Sequence, residues 1–317
     1  MKVTEHIEQA NGKSLFSIEI IPPIKGQSVT ELFDSIEPLM EFKPPFVDVT
    51  YHREELIEKK HPSGLIQKVP VRRRPGTVGI CAKLMERFKV DPVPHVICGG
   101  FTKDETEDFL YDLHYLGIDN TLVLRGDPEK SAGVFKPKEG GHAYATDLIS
   151  QVVDMNSGRL LHEETEAQPT NFCIGVAGYP EKHFEAPNHA NDLRYLKKKV
   201  ELGADYIVTQ MFFDNQKYFD FVKRCRAEGI NVPIIPGLKP ISTKKQLTVL
   251  PRIFHLDFPE ELVKAVEDCK NDQQVREVGV EFGIKQCKEL LDFGVPVLHF
   301  YTMGKSDSVK RIAEAVF

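Results

Sequence analysis

The sequence predicts an α/β protein folded as a single (β/α)8 barrel, and three observations predict it. Eight short β-branched or apolar runs recur along 317 residues. Segments with helical periodicity separate them. No Pro/Gly/Ser linker or shift in composition divides the chain. Parallel strands buried on both faces read as near-continuous apolar runs and need crossover helices, and this alternation supplies both. A doubly wound open sheet is the competing architecture. Residues 1–317 are read as one barrel domain.

The expected strands lie at 15–21, 46–51, 93–98, 121–124, 172–177, 206–209, 232–236 and 297–300. Pro22-Pro23 ends the first, because proline has no N–H for a ladder. Helical periodicity covers 30–42, 103–116, 190–202, 217–228, 243–250 and a long stretch over 260–293. Two stretches read as additions to the basic barrel. Residues 54–85 carry Lys59-Lys60, Pro62, Gly64 and Arg72-Arg73-Arg74 and include part of the helix after strand two; 156–170 is polar with Pro169. Both are expected as long surface excursions.

Charged residues are 28% and hydrophobic ones 41%, which excludes a disordered chain. A net charge of −6 gives no general attraction to nucleic acid or anionic membranes. Six cysteines lie far apart with no Cys-x-x-Cys and no zinc spacing, so reduced thiols and no metal site are expected. No apolar leader or membrane-length stretch is present, and a cytosolic protein with small-molecule partners is expected.

In such barrels chemistry gathers at the carboxyl ends of the strands. The run Ser17-Ile18-Glu19-Ile20-Ile21-Pro22-Pro23 sets one carboxylate inside an apolar strand. Burial raises a carboxyl pKa, so Glu19 is a candidate general acid; a solvated strand face or a buried Lys or Arg partner would account for it equally. Strand two delivers Asp48, Thr50 and Tyr51, strand three His95, and strand four Arg125-Gly126-Asp127. Strand five delivers Tyr179 and His183, strand six Gln210 and Asp214, strand seven Lys239, and strand eight His299 and Tyr301. Asp192, Tyr195 and Lys199 share one helix side, either around a ligand or as a solvated pair network. Lys239 stands where a barrel aldolase carries a Schiff-base lysine, and a non-catalytic ligand-binding barrel is a further alternative.

Several segments together resemble the methylenetetrahydrofolate reductase family. They are the Glu19 run, Val49-Thr50-Tyr51, Pro94-His95, Leu124-Arg125-Gly126-Asp127, Ala177-Gly178-Tyr179-Pro180-Glu181, 208–214, Ile235-Pro236-Gly237 and His299-Phe300-Tyr301-Thr302. They stand in the family's order over nearly the whole chain, which looks like the single-domain bacterial form. The resemblance implies FAD at the carboxyl ends of the strands, reduced by NADH or NADPH. The flavin then reduces 5,10-methylenetetrahydrofolate to 5-methyltetrahydrofolate in ping-pong fashion, supplying methyl groups for methionine synthesis. The absence of G-x-G-x-x-G after a strand agrees with one site used in turn.

The same resemblance implies Glu19 as general acid and Asp127 as the charge beside flavin and pterin. Thr50, His95, Leu124, Arg125, Gly126, Asp127, Tyr144, Ala145, Ala177, Tyr179, His183, Ala186, Asp192 and Lys199 match the family's FAD set. Gln210, Gln246, Leu250, Tyr301 and Lys305 join Glu19 and Asp127 as substrate-binding positions. Leu250 replaces a familiar phenylalanine and Lys305 a familiar arginine, which removes aromatic stacking and bidentate geometry respectively. A homo-oligomer is expected.

Overall fold

The computed structural model describes residues 1–128, 133–162, 167–302 and 306–317. Strands β1 (Leu15–Ile20), β2 (Phe46–Val49), β5 (Asp91–Ile97), β6 (Asn120–Leu124), β7 (Cys173–Gly178), β8 (Tyr206–Thr209), β9 (Ile234–Ile235), β10 (Gly237–Leu238) and β11 (Val297–Tyr301) form one sheet. Every pairing in it is parallel. β9 and β10 are two halves of one barrel strand, interrupted at Pro236, which has no N–H to give. The Pro236 carbonyl accepts from the His299 amide at 3.2 Å, so pairing passes from β8 through the split strand to β11 and on to β1. The sheet therefore closes as an eight-fold barrel, and the open doubly wound alternative is excluded.

Helices α2 (Val29–Ile36), α3 (Thr77–Phe88), α4 (Lys103–Tyr115), α5 (Ala145–Asn156), α6 (His189–Glu201), α7 (Asn215–Ala227), α8 (Gln246–Phe254), α9 (Glu260–Glu267), α10 (Asp272–Phe293) and α11 (Asp307–Val316) cover its outside. The outward strand residues, among them Ile18, Val47, Val96, Val123, Val176 and Ile207, pack with them into one core. Several helix starts have a local cause. In α4, Thr102 accepts from the Glu105 amide at 3.1 Å and Glu105 accepts from the Thr102 amide at 2.7 Å, a reciprocal capping box. The long helical stretch read over 260–293 is two helices, α9 and α10, because Asn271 caps a new start by accepting from Gln274. The helix read over 30–42 tightens into a 3-10 turn from Glu37, where Pro38 stands in its first turn.

Inside the barrel, alternate strand residues stack. Phe46, Val93, Leu122, Cys173, Tyr206, Val208, Ile235 and Val297 form the lower filling. Gly175 makes room for a ring: a Cβ there would sit 2.4 Å from Tyr206 Cζ. The floor is closed by a helix the sequence reading left out, α1 (Val3–Gln9), whose Val3 is fully buried against this filling. The Val3 amide donates to Asn120 Oδ1 at 2.8 Å, and Asn120 Nδ2 donates to the Met1 carbonyl at 2.9 Å. The Met1 ammonium and His6 both reach Asp91, at 3.0 and 2.7 Å.

Within 54–85, an antiparallel hairpin of β3 (Glu55–Lys60) and β4 (Ile66–Val71) pairs with itself outside the barrel sheet, and α3 follows it. Residues 156–162 and 167–170 return from α5 toward β7; Asn156 holds this return by accepting from Thr170 and the Phe172 amide. No described helix is long and apolar enough to cross a membrane.

Candidate active site

The register of the barrel decides which polar groups meet. Glu19 on β1 lies opposite Asp48 on β2 and Tyr301 on β11, so all three side chains point into the lumen at its carboxyl end. His95 enters from β5, with Nε2 3.5 Å from Glu19 Oε2 and 3.6 Å from Asp48 Oδ2. One layer down, Ser17 Oγ meets His299 Nδ1 at 2.7 Å. The Glu19 side chain keeps 14% exposure, whereas that of Asp48 keeps 1%: the first opens on the barrel mouth and the second is sealed beneath it.

Electrostatics follow from this burial. Desolvation pushes the Glu19 carboxyl up from 4.5 to about 7; His95 opposes the shift, Asp48 adds to it and Lys239 opposes it. Asp48 is pushed up by burial to about 6, with His299 opposing. Burial holds His95 and His299 below the ordinary imidazole range, so both are neutral near pH 7. It also brings the Lys239 amine down to about 8, with Glu19 opposing. The centre therefore carries a carboxyl able to hold and release a proton near neutral pH.

The exits of β6 and β7 build a second part of the mouth. Arg125 donates to Glu185 at 2.5 Å and lies 5.1 Å over the Phe135 ring. Gly126 takes φ +84°, which brings the chain over Ile97. Asp127 is exposed and acts through its charge on His52 and Tyr179. Beyond β7, Lys182 folds its ammonium back onto the carbonyls of His183 and Ala186, which ties the loop and sets His183 edge-on to Tyr179 at 4.7 Å. Asp192 on α6 accepts from the His183 amide at 3.0 Å. Lys199, a turn and more further on, donates to the Ala177 carbonyl at 3.1 Å. Burial brings its amine down to about 8, with Asp192 opposing. Ala177, Tyr179, Asp192, Tyr195 and Lys199 line a shallow cleft.

Other candidates stand elsewhere. Thr50 pairs with His52 at 3.0 Å beside the β2 exit, and Leu124 is half-buried at the end of β6. Tyr144 precedes α5 and is 63% exposed, with Ala145 buried behind it. Gln210 turns its amide oxygen onto the Met211 amide. Gln246 spends its oxygen on Ser242 and Thr243, capping its own turn. Leu250 is buried among Met211, Phe213, Leu256 and Leu262. Lys305 lies outside the described residues. Asp48 is the residue to which the sequence reading gave no role. Its signal was the one used for Glu19, a carboxylate inside the apolar run Phe46-Val47-Asp48-Val49. Among the described residues, no His/Cys/Asp/Glu group could hold a metal ion.

Fold and site together define a (β/α)8-barrel protein with a titratable carboxyl in its mouth and a cleft lined by Lys199 and Asp192 beside it. The family model for methylenetetrahydrofolate reductase matches residues 2–316, and the chain belongs to that family. It is 32% identical to 5,10-methylenetetrahydrofolate reductase of Salmonella typhimurium, covering 96% of this chain and 91% of that one. It is 33% identical to methylenetetrahydrofolate reductase (NADH) 1 of Arabidopsis thaliana, over 97% of this chain and 49% of the relative. Against methylenetetrahydrofolate reductase 2 of Saccharomyces cerevisiae the figures are 32%, 99% and 49%. The chain thus spans about half the length of these plant and yeast relatives. A solved Clostridium thermocellum structure, described as binding two copies of 5-methyl-5,6,7,8-tetrahydrofolic acid, matches 98% of both chains with TM-score 0.56 at 16% identity, which shows a shared fold.

Proposed function

We propose that the chain reduces 5,10-methylenetetrahydrofolate to 5-methyltetrahydrofolate, with electrons from NADH or NADPH passing through FAD in a ping-pong cycle at one barrel mouth. The observation that carries this reading is Glu19, a carboxyl held to about 7 by burial yet open to the mouth. Opening the folate's five-membered ring to a 5-iminium cation needs a proton on the departing nitrogen. Glu19 is poised to give it, and acid catalysis of this kind contributes about 10²–10⁴ in rate. The exposed Asp127 carboxylate stabilises the cation electrostatically.

The residues present fit a flavin dinucleotide. Lys199 is a half-buried cation whose described hydrogen bond goes to one carbonyl, which leaves donors for an anionic or carbonyl-rich ligand in the cleft it lines. Arg125, His183 and Asp192 would complete the polar edge, and Tyr179 supplies flat surface. Thr50, His95, Leu124, Gly126, Tyr144, Ala145, Ala177 and Ala186 are proposed as the rest of that set. Bound FAD would supply reversible hydride transfer between nicotinamide and folate. Gln210, Gln246, Leu250 and Tyr301 are proposed to face the folate or nicotinamide. The product supports methyl supply for methionine synthesis. Six buried, unpaired cysteines support a cytosolic setting, and the active species is proposed as a homo-oligomer of one-barrel chains.

The test is anaerobic spectroscopy of the FAD-loaded protein. NADH or NADPH should bleach the flavin and methylenetetrahydrofolate should restore its colour. Glu19→Gln should keep the bleaching and slow the recolouring by about 10²–10⁴. Equal loss of both half-reactions would sink the acid role, and absence of flavin bleaching would sink the reductase reading.

A further inference from the structure

A second buried carboxyl lies beside the proton-donating one, and the reaction as proposed makes no use of it. Asp48 and Glu19 are register partners on adjacent parallel strands, both aimed inward, and the edge of one imidazole serves both: His95 Nε2 lies 3.5 Å from Glu19 and 3.6 Å from Asp48. Asp48 Oδ2 and His95 Nε2 are each buried without a hydrogen-bond partner, so this contact is not a structural ion pair with all its bonds made. An unsatisfied buried carboxylate in a barrel core is costly, and apolar residues fill the lumen beneath it.

We propose that Asp48 is a positioning residue that keeps the transferable proton on Glu19, by presenting a sealed negative charge across the His95 imidazole. This rests on the role given to Glu19 above. Two carboxylates this close in a low-dielectric lumen resist ionising together. Burial raises both carboxyls, and the charge on Asp48, once ionised, raises that of Glu19 further. The other groups facing the pair are Lys239 and Tyr301 toward Glu19, and His299, Tyr206 and Cys81 toward Asp48. Of these Lys239 alone is cationic at pH 7, and it pulls the Glu19 proton off rather than holding it. Asp48 opposes that pull from the sealed side.

The experiment compares wild-type FAD-loaded protein with Asp48→Asn. In the folate half-reaction, the falling limb of the pH profile should move down by about one unit in the variant. The nicotinamide half-reaction and the folate KM should stay within about twofold, whereas a merely structural lesion would move them with no shift of the limb. A superimposable limb overturns the proposal. Should Asp48→Asn fail to fold, infrared titration of 13C-glutamate-labelled Asp48→Ser decides. The protonated carboxyl band of Glu19, identified by its loss in Glu19→Gln, should disappear at lower pH than in wild type. An unmoved band overturns the coupling. The infrared result does not depend on turnover, so failure of the reductase reading and failure of this inference are separable.

Discussion

The Tyr301 phenol donates a 2.6 Å hydrogen bond to the Thr209 carbonyl, which joins β11 to β8 across the split strand. Gly237 in β10 leaves the space for it: a Cβ there would fall 2.4 Å from the Tyr301 oxygen and 2.3 Å from the Thr209 oxygen. Barrel closure and the shape of the mouth thus depend on the same three residues. Tyr301→Phe should destabilise the fold by about 1–3 kcal/mol, because a buried carbonyl loses its donor. Gly237→Ala should be worse, since the clash is with backbone as well as ring. Denaturant unfolding of both variants checks the order; a Gly237→Ala protein as stable as wild type would contradict it.

Glu19 also sets a pH dependence of stability. Its folded value of about 7 lies above the ordinary 4.5, so between these values the folded chain holds a proton that the unfolded chain releases. Stability from this group is full below 4.5 and is lost as pH rises through 7. Glu19→Gln removes the loss. The variant should gain on wild type by roughly 2–3 kcal/mol between pH 4.5 and 8, read as a difference in Tm that widens with pH. A constant difference would show that Glu19 is not perturbed.

The same proton governs the rate of folate reduction. Activity in that half-reaction should fall above about pH 7 as Glu19 ionises, while nicotinamide oxidation keeps its own profile. Stopped-flow measurement of both half-reactions across pH 5.5–9 gives the answer, and parallel profiles would count against it.

Lys199→Met should weaken flavin binding by about 10–100-fold, the worth of a charge-assisted hydrogen bond. The unliganded fold should not lose stability, because a half-buried cation whose amine is already held down by desolvation is replaced by an apolar chain of similar length. Flavin fluorescence on titration, together with a melting curve, separates the two effects.

Asn120→Ala should loosen the barrel floor without touching the mouth. Asn120 holds α1 by two hydrogen bonds, so about 1–3 kcal/mol is expected, with unchanged flavin affinity. Amide exchange over residues 3–9 should quicken in the variant.

Much of this was legible in the residues. The eight barrel strands are short apolar runs bounded by Pro, Gly or polar residues, and burial on both faces is what makes them readable. The Glu19 strand stood out because one carboxylate interrupts such a run. The hairpin over 55–71 was not legible, since Glu-Leu-Ile-Glu-Lys-Lys is mostly exposed and its pairing is set by its neighbour strand. Helix α1 was missed because its seven residues show little periodicity, and its anchor, Asn120, is far along the chain. Gln246 illustrates a different limit. Its side-chain oxygen is taken up by the turn it begins, a local bond that leaves the amide NH2 as the group able to meet a ligand.

Pattern and motif order were enough to point to an α/β barrel of the methylenetetrahydrofolate reductase family and to single out Glu19, because burial periodicity and local turn chemistry are written in neighbouring residues. The tertiary structure alone decided that Asp48 faces Glu19 and that one imidazole serves both carboxyls. It alone decided that Lys199 reaches β7 from α6 and that β10 meets β11 to close the sheet. These relations depend on the register of strands far apart in the chain. A one-residue slip of β1 or β2 would turn Glu19 or Asp48 to the opposite face.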